Sequence, residues 1–214
     1  MNRFLRSRRA VLRFLLASSI CGVAASRARA QEPLKSTGSR DLVVYYSYSR
    51  QTERVAKRLA KTLGADLYAV ETLEKYPSEP KATSERAKEE RRLDRLPQIA
   101  GDRPDPRDYD RIFVGGPTWN GVVSAPLVRY LRETDFSGKT VVSFWTAENS
   151  DGVRYRRDFA EQILADPRRK PAFLVDDGFG FNAVPSAPDA EIDAKIAEIL
   201  RRLDGRPAAP AAAR

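Results

Sequence analysis

The sequence predicts an α/β fold, a doubly wound sheet of five parallel strands with helices on both faces. Five short runs carry that expectation: LVVYYS (42–47), LYAV (67–70), RIFVGG (111–116), TVVSFWT (140–146) and AFLVDD (172–177). They are mostly continuous in apolar residues rather than alternating, as strands covered on both faces are. Helix-patterned segments separate them, and strand–helix alternation builds a parallel sheet. A chain of 214 residues, 42% hydrophobic and 31% charged, suits one soluble domain with a sizeable core rather than two.

The first thirty residues stand apart. The chain carries a net charge of +9, yet residues 1–30 hold seven arginines and no acid, which leaves 31 basic against 29 acidic residues in the remainder. The basic excess therefore belongs to this segment and is no footprint for nucleic acid. RFLRSRRAVLRF gives a positive start, Leu15 to Ala25 an apolar stretch too short to span a bilayer, and Ala28-Arg29-Ala30 a small-residue cleavage pattern. SRRAVL, with Arg8 and Arg9 adjacent, is similar to the twin-arginine export motif. The expectation is a signal peptide over 1–30, cleaved after Ala30, and a periplasmic protein with no membrane association afterwards. A retained short anchor helix is the alternative.

The only cysteine, Cys21, lies in that segment, and Ile20 before it does not suit a lipid-anchored signal. The chain has no histidine. Ser-His-Asp and Cys-His catalysis and ordinary zinc sites are thereby excluded.

Residues 31–40 read as a polar lead-in, 41–204 as the domain and 205–214 as a disordered tail. After the first strand, Val55, Leu59 and Leu63 recur every four residues on a helix that Gly64 stops. Residues 74–108 are charged, punctuated by proline and poor in apolar residues; Ser84 to Leu93 suits a solvated helix within a long surface excursion. After the third strand, Ser124 is placed to cap a helix with Pro126 in its first turn and Leu127, Val128 and Leu131 on its buried face. Val153 to Leu164 forms a helix with Phe159 and Ile163 on one side. Asp189 is placed to cap a last helix carrying Ile192, Ile196, Ile199 and Leu203, ended by Gly205.

Two motifs mislead. SGKT (137–140) lacks the glycine that a nucleotide-triphosphate loop needs at position 133, where Glu133 stands, and it precedes a strand. GFGFNA (178–183) fits a dinucleotide pattern only formally, because VPSAP follows it in place of a helix. Asp176 and Asp177 are neighbours in a strand, so they point to opposite faces and do not make a metal pair.

In such a sheet ligands bind beyond the carboxyl ends of the strands. That selects the loops SYSRQT, GPTWNGVV and TAENSDG. Ser47, Ser49, Gln51 and Thr52 bring donors to a helix start, whose free N–H groups and dipole favour an anion. Capping by Ser49 alone explains that loop equally well. Pro117, Thr118, Trp119, Asn120 and Gly121 put a large aromatic past a strand end, suited to cover a flat ring. Thr146, Glu148, Asn149 and Ser150 lie on a polar, flexible loop suited to a ring's edge.

Together VVYYSYSRQTERVAKRLA, KYP, YDRIFVGGPTWNGVVSAPLVRYLRETDFSGKTVVSFWTAENSDG and DAEIDAKIAEIL resemble the flavodoxin-like family over nearly all of residues 41–204. The resemblance implies the strand order 2-1-3-4-5 and non-covalent binding of flavin mononucleotide (FMN). It makes the three loops the cofactor site, with electron transfer to an unidentified redox partner protein, as a carrier or as a small FMN-dependent oxidoreductase component without a catalytic acid or base. The loops depart from the family pattern. Arg50 stands at a glycine position and Gln51 at one often filled by Asn; Asn120 replaces a second aromatic; Asn149 and Asp151 flank Ser150 in place of glycines; and Ala147 stands where His is common. If the backbone at Arg50 is left-handed, the cost is roughly 1–2 kcal/mol. If it is not, the guanidinium offers the phosphate a charge-assisted contact. Asp151 beside a flavin would lower its potential. The alternative is a flavodoxin-fold module that has lost FMN and binds a partner protein or a small anion.

Overall fold

Each central strand presents alternate side chains to two helical layers, so its middle positions are buried on both faces. In the computed structural model, which describes residues 40–204, β1 (Asp41–Tyr45) places Leu42 and Val44 in one core and Val43 and Tyr45 in the other. Both cores exclude water, and this is why the strand reads as an unbroken apolar run.

α1 (Gln51–Leu63) returns along one face and lays Val55 and Leu59 on Phe113 and Phe144. Gly64 ends it in the left-handed region at φ 67°. β2 (Asp66–Ala69) is the half-exposed edge beside β1. The excursion then carries α2 (Pro80–Arg92), which begins four residues before the expected Ser84 because Pro80 suits a first helical turn. Only Thr83 and Ala87 of α2 are buried, too few to leave a periodic signal. An isolated bridge between Thr72 and Ile99 closes the excursion, and a single 3₁₀ turn at Pro106–Asp108 leads into the next strand.

β3 (Arg111–Trp119) lies at the centre, between β1 and β5 (Thr140–Ala147). It is longer than the expected 111–116, because its end folds back through β4 (Val122–Val123) as a short antiparallel hairpin. α3 (Ala125–Glu133) and α4 (Val153–Ile163) cover one face with Leu127, Val128, Leu131, Tyr155, Phe159 and Ile163. Ser124 does precede α3, but its side chain makes no capping bond, and its Oγ is buried without a partner.

β6 (Phe173–Asn182) is the other edge. It extends past the expected end at 177, across an irregularity where Val142 and Phe144 of β5 pair with Val175 and Phe179. GFGFN is therefore strand. α5 (Asp189–Asp204) packs Ile192, Ile196 and Ile199 against the α1 layer. Asp189 is its first residue, and its carboxylate holds Arg54 and Arg58 of α1 rather than capping the helix. The parallel strands run β2-β1-β3-β5-β6, which is the expected 2-1-3-4-5 once the short β4 is set aside.

The signal peptide expected at 1–30, the lead-in expected at 31–40 apart from Arg40, and the tail expected at 205–214 lie outside the described residues. Among the described residues, no helix is long and apolar enough to cross a membrane, and no cluster of three or more acidic, Cys or His side chains is placed to hold a metal.

Candidate functional site

The carboxyl ends of β1, β3 and β5 bring the three expected loops to one rim. A buried hydroxyl pair fixes two of them to each other: Thr52 Oγ1, in the first turn of α1, lies 2.7 Å from Thr146 Oγ1 near the end of β5. One hydroxyl must donate to the other, which leaves the acceptor's own proton for a third group.

Ser47 opens the first loop. Its Oγ is buried and has no hydrogen-bond partner among the described residues, next to a helix start whose N–H groups lack intrahelical acceptors. A buried hydroxyl left unpaired is unfavourable, and an anionic oxygen would pair it. Ser49 is exposed and is not the N-cap. That position is Arg50, at φ 64° and ψ 2° with no side-chain cap. Arg50 therefore carries the left-handed backbone that favours glycine. Its guanidinium, 83% exposed, turns back to Glu53 at 3.2 Å. Glu53 also accepts from Lys57, and these two bonds, chiefly the lysine's, hold its carboxyl below the usual range. Gln51 reaches the Ser49 carbonyl at 3.4 Å.

The second loop is a hairpin turn rather than a free loop. Trp119 pairs with Val122, and Asn120 (φ 55°) and Gly121 (φ 81°) between them both take positive φ, as a two-residue type I′ turn requires. Pro117 and Thr118 lie in β3, half-buried. Trp119 belongs to a cluster of aromatic rings: Tyr76 stands 4.9 Å from it between centroids, Tyr46 5.5 Å and Tyr48 6.2 Å, all steeply inclined. The expected lone aromatic on a loop is thus a strand residue braced by tyrosines and still half-exposed.

The tyrosines are themselves held. Tyr48 shares its hydroxyl proton between the Pro77 and Ser78 carbonyls, at 2.9 and 2.7 Å. Tyr76 donates to Glu90, whose other oxygen accepts from Arg86, and the Arg86 guanidinium lies 4.4 Å above the Tyr76 ring. Burial and the adjoining Glu90 carboxylate push the Tyr76 phenol far above its usual range. Asn120 reaches Ser84 on α2 at 3.4 Å.

The third loop is pinned rather than flexible. Ser150 N–H donates to Asn182 Oδ1 at 3.2 Å, and Asn182 Nδ2 donates to the Ser150 carbonyl at 3.1 Å. Asp151 accepts the Val153 N–H at 3.0 Å, so its carboxylate opens α4. Glu148 and Asn149 are exposed at the rim, while Thr146 is buried. Gly152 has no room for a Cβ, which would meet Trp145 Cζ2 at 1.9 Å.

Sequence reasoning brought the three loops together. It missed the bracing residues Tyr46, Tyr48, Asn182 and Gly152, and the hairpin, although Asn120-Gly121 is a strong short-range hairpin signal. Two grooves, of about 340 Å³ along β6 and about 230 Å³ beside Arg132 and Arg169, lie away from the rim. The rim is therefore marked by its donors, aromatic surface and helix start, which suit a ligand with an anionic group and a flat ring.

The sequence profile of the flavodoxin family matches residues 40–176. No curated protein matches the chain. Among solved structures, a flavoprotein from Lactobacillus acidophilus NCFM, crystallised in complex with FMN, is 23% identical with a TM-score of 0.60, over 73% of this chain and 97% of that one. A Bacteroides eggerthii DSM 20697 protein is 21% identical with a TM-score of 0.63, over 78% of this chain and 99% of that one. A Bacteroides uniformis ATCC 8492 protein is 21% identical with a TM-score of 0.61, over 75% and 99%. At these identities the likeness shows the fold.

Proposed function

The chain belongs to the flavodoxin family, and from that premise we propose that it binds FMN non-covalently at the three-loop rim and serves in electron transfer outside the cytoplasm. The observation that carries this reading is the buried, unpartnered Ser47 hydroxyl at the start of α1, on the rim that also holds Trp119.

In this reading Ser47, Ser49, Gln51 and Thr52, with the first N–H groups of α1, hold the phosphate as neutral donors. Arg50 contributes its charge when its side chain leaves Glu53. Pro117, Thr118, Trp119, Asn120 and Gly121 line the ring, and Thr146, Glu148, Asn149 and Ser150 meet its polar edge. Bound flavin supplies one- or two-electron chemistry. The chain orients the ring, limits water at one side of it and sets the charge around it. No side chain is required to move a proton. A redox partner protein exchanges the electrons, so the chain acts as a carrier or as a small reductase component. Export through the segment containing Arg8 and Arg9, with cleavage after Ala30, places this activity in the periplasm.

A second reading, a module that has lost the flavin and binds a partner protein or small anion, draws on Arg50 at the glycine position and on the turning of its guanidinium to Glu53. Flavin titrations separate the two. The proposal expects FMN to bind more tightly than riboflavin, with Ser47→Ala erasing much of that preference. A folded protein that binds neither flavin, and gains FMN binding on Arg50→Gly with Asn120→Trp, supports the second reading.

A further inference from the structure

The hairpin that carries Trp119 is short, and one of its edges has no strand beside it. In a two-residue hairpin the residues flanking the turn, here Trp119 and Val122, exchange the ladder bonds, and the next pair points its backbone groups outward. The outward groups of Val123 would then face a buried environment unpaired. A side-chain ion pair meets both. Asp158 of α4 accepts the Val123 N–H through Oδ2 at 2.9 Å. Arg91 of α2 donates through Nη1 to the Val123 carbonyl at 3.2 Å, and through Nη2 to Asp158 Oδ1 at 2.5 Å. Gln162 donates to the same Oδ1 at 3.1 Å. The Asp158 side chain is 8% exposed and that of Arg91 25%. The pair thus stands where a third strand would be.

We propose that Arg91 and Asp158 are positioning residues for the flavin's ring: they clamp Val123, and through the Trp119–Val122 pair they fix the aromatic surface. This rests on the FMN reading above. α2 buries only Thr83 and Ala87, so Arg91 is also its main tie to α4. The same helix supplies Glu90 to Tyr76 and Ser84 to Asn120. The clamp therefore acts on the ring side of the site and leaves the phosphate side, held by the Thr52–Thr146 bond, untouched.

The test uses the full chain with Arg91→Gln, titrated with FMN and with riboflavin. Loss of a charge-assisted bond to a buried carboxylate predicts that both affinities fall about tenfold, with their ratio unchanged and the circular dichroism of the bound flavin diminished. A folded R91Q protein with wild-type flavin affinity overturns the proposal, as does one whose FMN-to-riboflavin ratio collapses. If R91Q does not fold, Arg91→Lys keeps the charge beside Asp158 but cannot reach the Val123 carbonyl at the same time. It should lower both affinities with their ratio unchanged, and unchanged affinities in the folded protein overturn the proposal. If the wild-type chain binds no flavin, the FMN reading fails instead, and amide exchange decides the clamp: the Val123 N–H, which donates to Asp158, should be protected in wild type and exchange faster in a folded Asp158→Ala protein, and equal protection overturns it.

Discussion

Gly152→Ala should be among the most damaging single-methyl additions in this chain. Gly152 sits at φ 73°, ψ 2° before α4, and a left-handed backbone costs a non-glycine residue roughly 1–2 kcal/mol. Its new Cβ would stand 1.9 Å from Trp145 Cζ2 and 2.4 Å from Cε2. The indole is closely packed. It is 4% exposed, and on its other side Gly180 is so close that a Cβ there would meet Cε2 and Nε1 at 2.2 Å. Overpacking of this kind adds about 1–3 kcal/mol, for a total of roughly 2–5 kcal/mol. In a domain of this size that lowers the melting temperature by roughly 5–15 °C. Gly64→Ala is the control: its φ is 67°, equally left-handed, but no atom lies within 4 Å of a Cβ there, so it should cost only the backbone part, about 1 kcal/mol. Urea denaturation of both variants measures the difference. If G152A costs no more than G64A, the packing of Trp145 between two glycines is refuted.

Thr52→Val should destabilise by about 1–3 kcal/mol, because Thr146 is left with a buried, unpaired hydroxyl; an unchanged urea midpoint contradicts the hydroxyl pair. Acid should destabilise the fold with a definite sign. The Ser137 hydroxyl and N–H hold Asp135 below its ordinary 3.8, and Lys57 and Arg50 hold Glu53 below its ordinary 4.5. The unfolded chain therefore binds more protons than the folded one in this range, so their contribution is complete above about pH 4.5 and is lost as pH falls through the depressed values. With no histidine in the chain, the urea midpoint should stay level between about pH 5 and 8; a step there, or a level midpoint down to pH 3, counts against this. Replacing Arg8 and Arg9 together by Lys should leave uncleaved precursor in the cytoplasm, and normal export of that variant contradicts the twin-arginine assignment.

The strands were legible because both faces are covered. Leu42 to Tyr45 serve two cores at once, and that double burial appears in the sequence as a continuous apolar run. α1 was legible for a similar reason, with Val55 and Leu59 on one stripe and Gly64 at its end. What the sequence concealed is held by polar contacts. α2 is docked through Arg91, Glu90 and Ser84 rather than an apolar stripe, so hydrophobic period does not reveal where it starts. β6 continues through glycines because Trp145 needs their missing side chains, and in a sequence those glycines look like a strand end. At the rim, Arg50 could be identified as a departure from the family pattern, but only its backbone angles settle that it occupies a left-handed position and that its charge is turned to Glu53. Trp119 was found as an aromatic past a strand end; its bracing by Tyr46, Tyr48 and Tyr76 depends on contacts between segments distant in the chain.

The visible absorption spectrum of the protein recovered from the periplasm of expressing cells tests the central claim most directly. The account predicts the bands of a bound flavin, one per chain, released as FMN on denaturation and taken up again on refolding with added FMN. A colourless protein that unfolds cooperatively in urea, yet leaves the fluorescence of added FMN unchanged at high micromolar concentration, would contradict it.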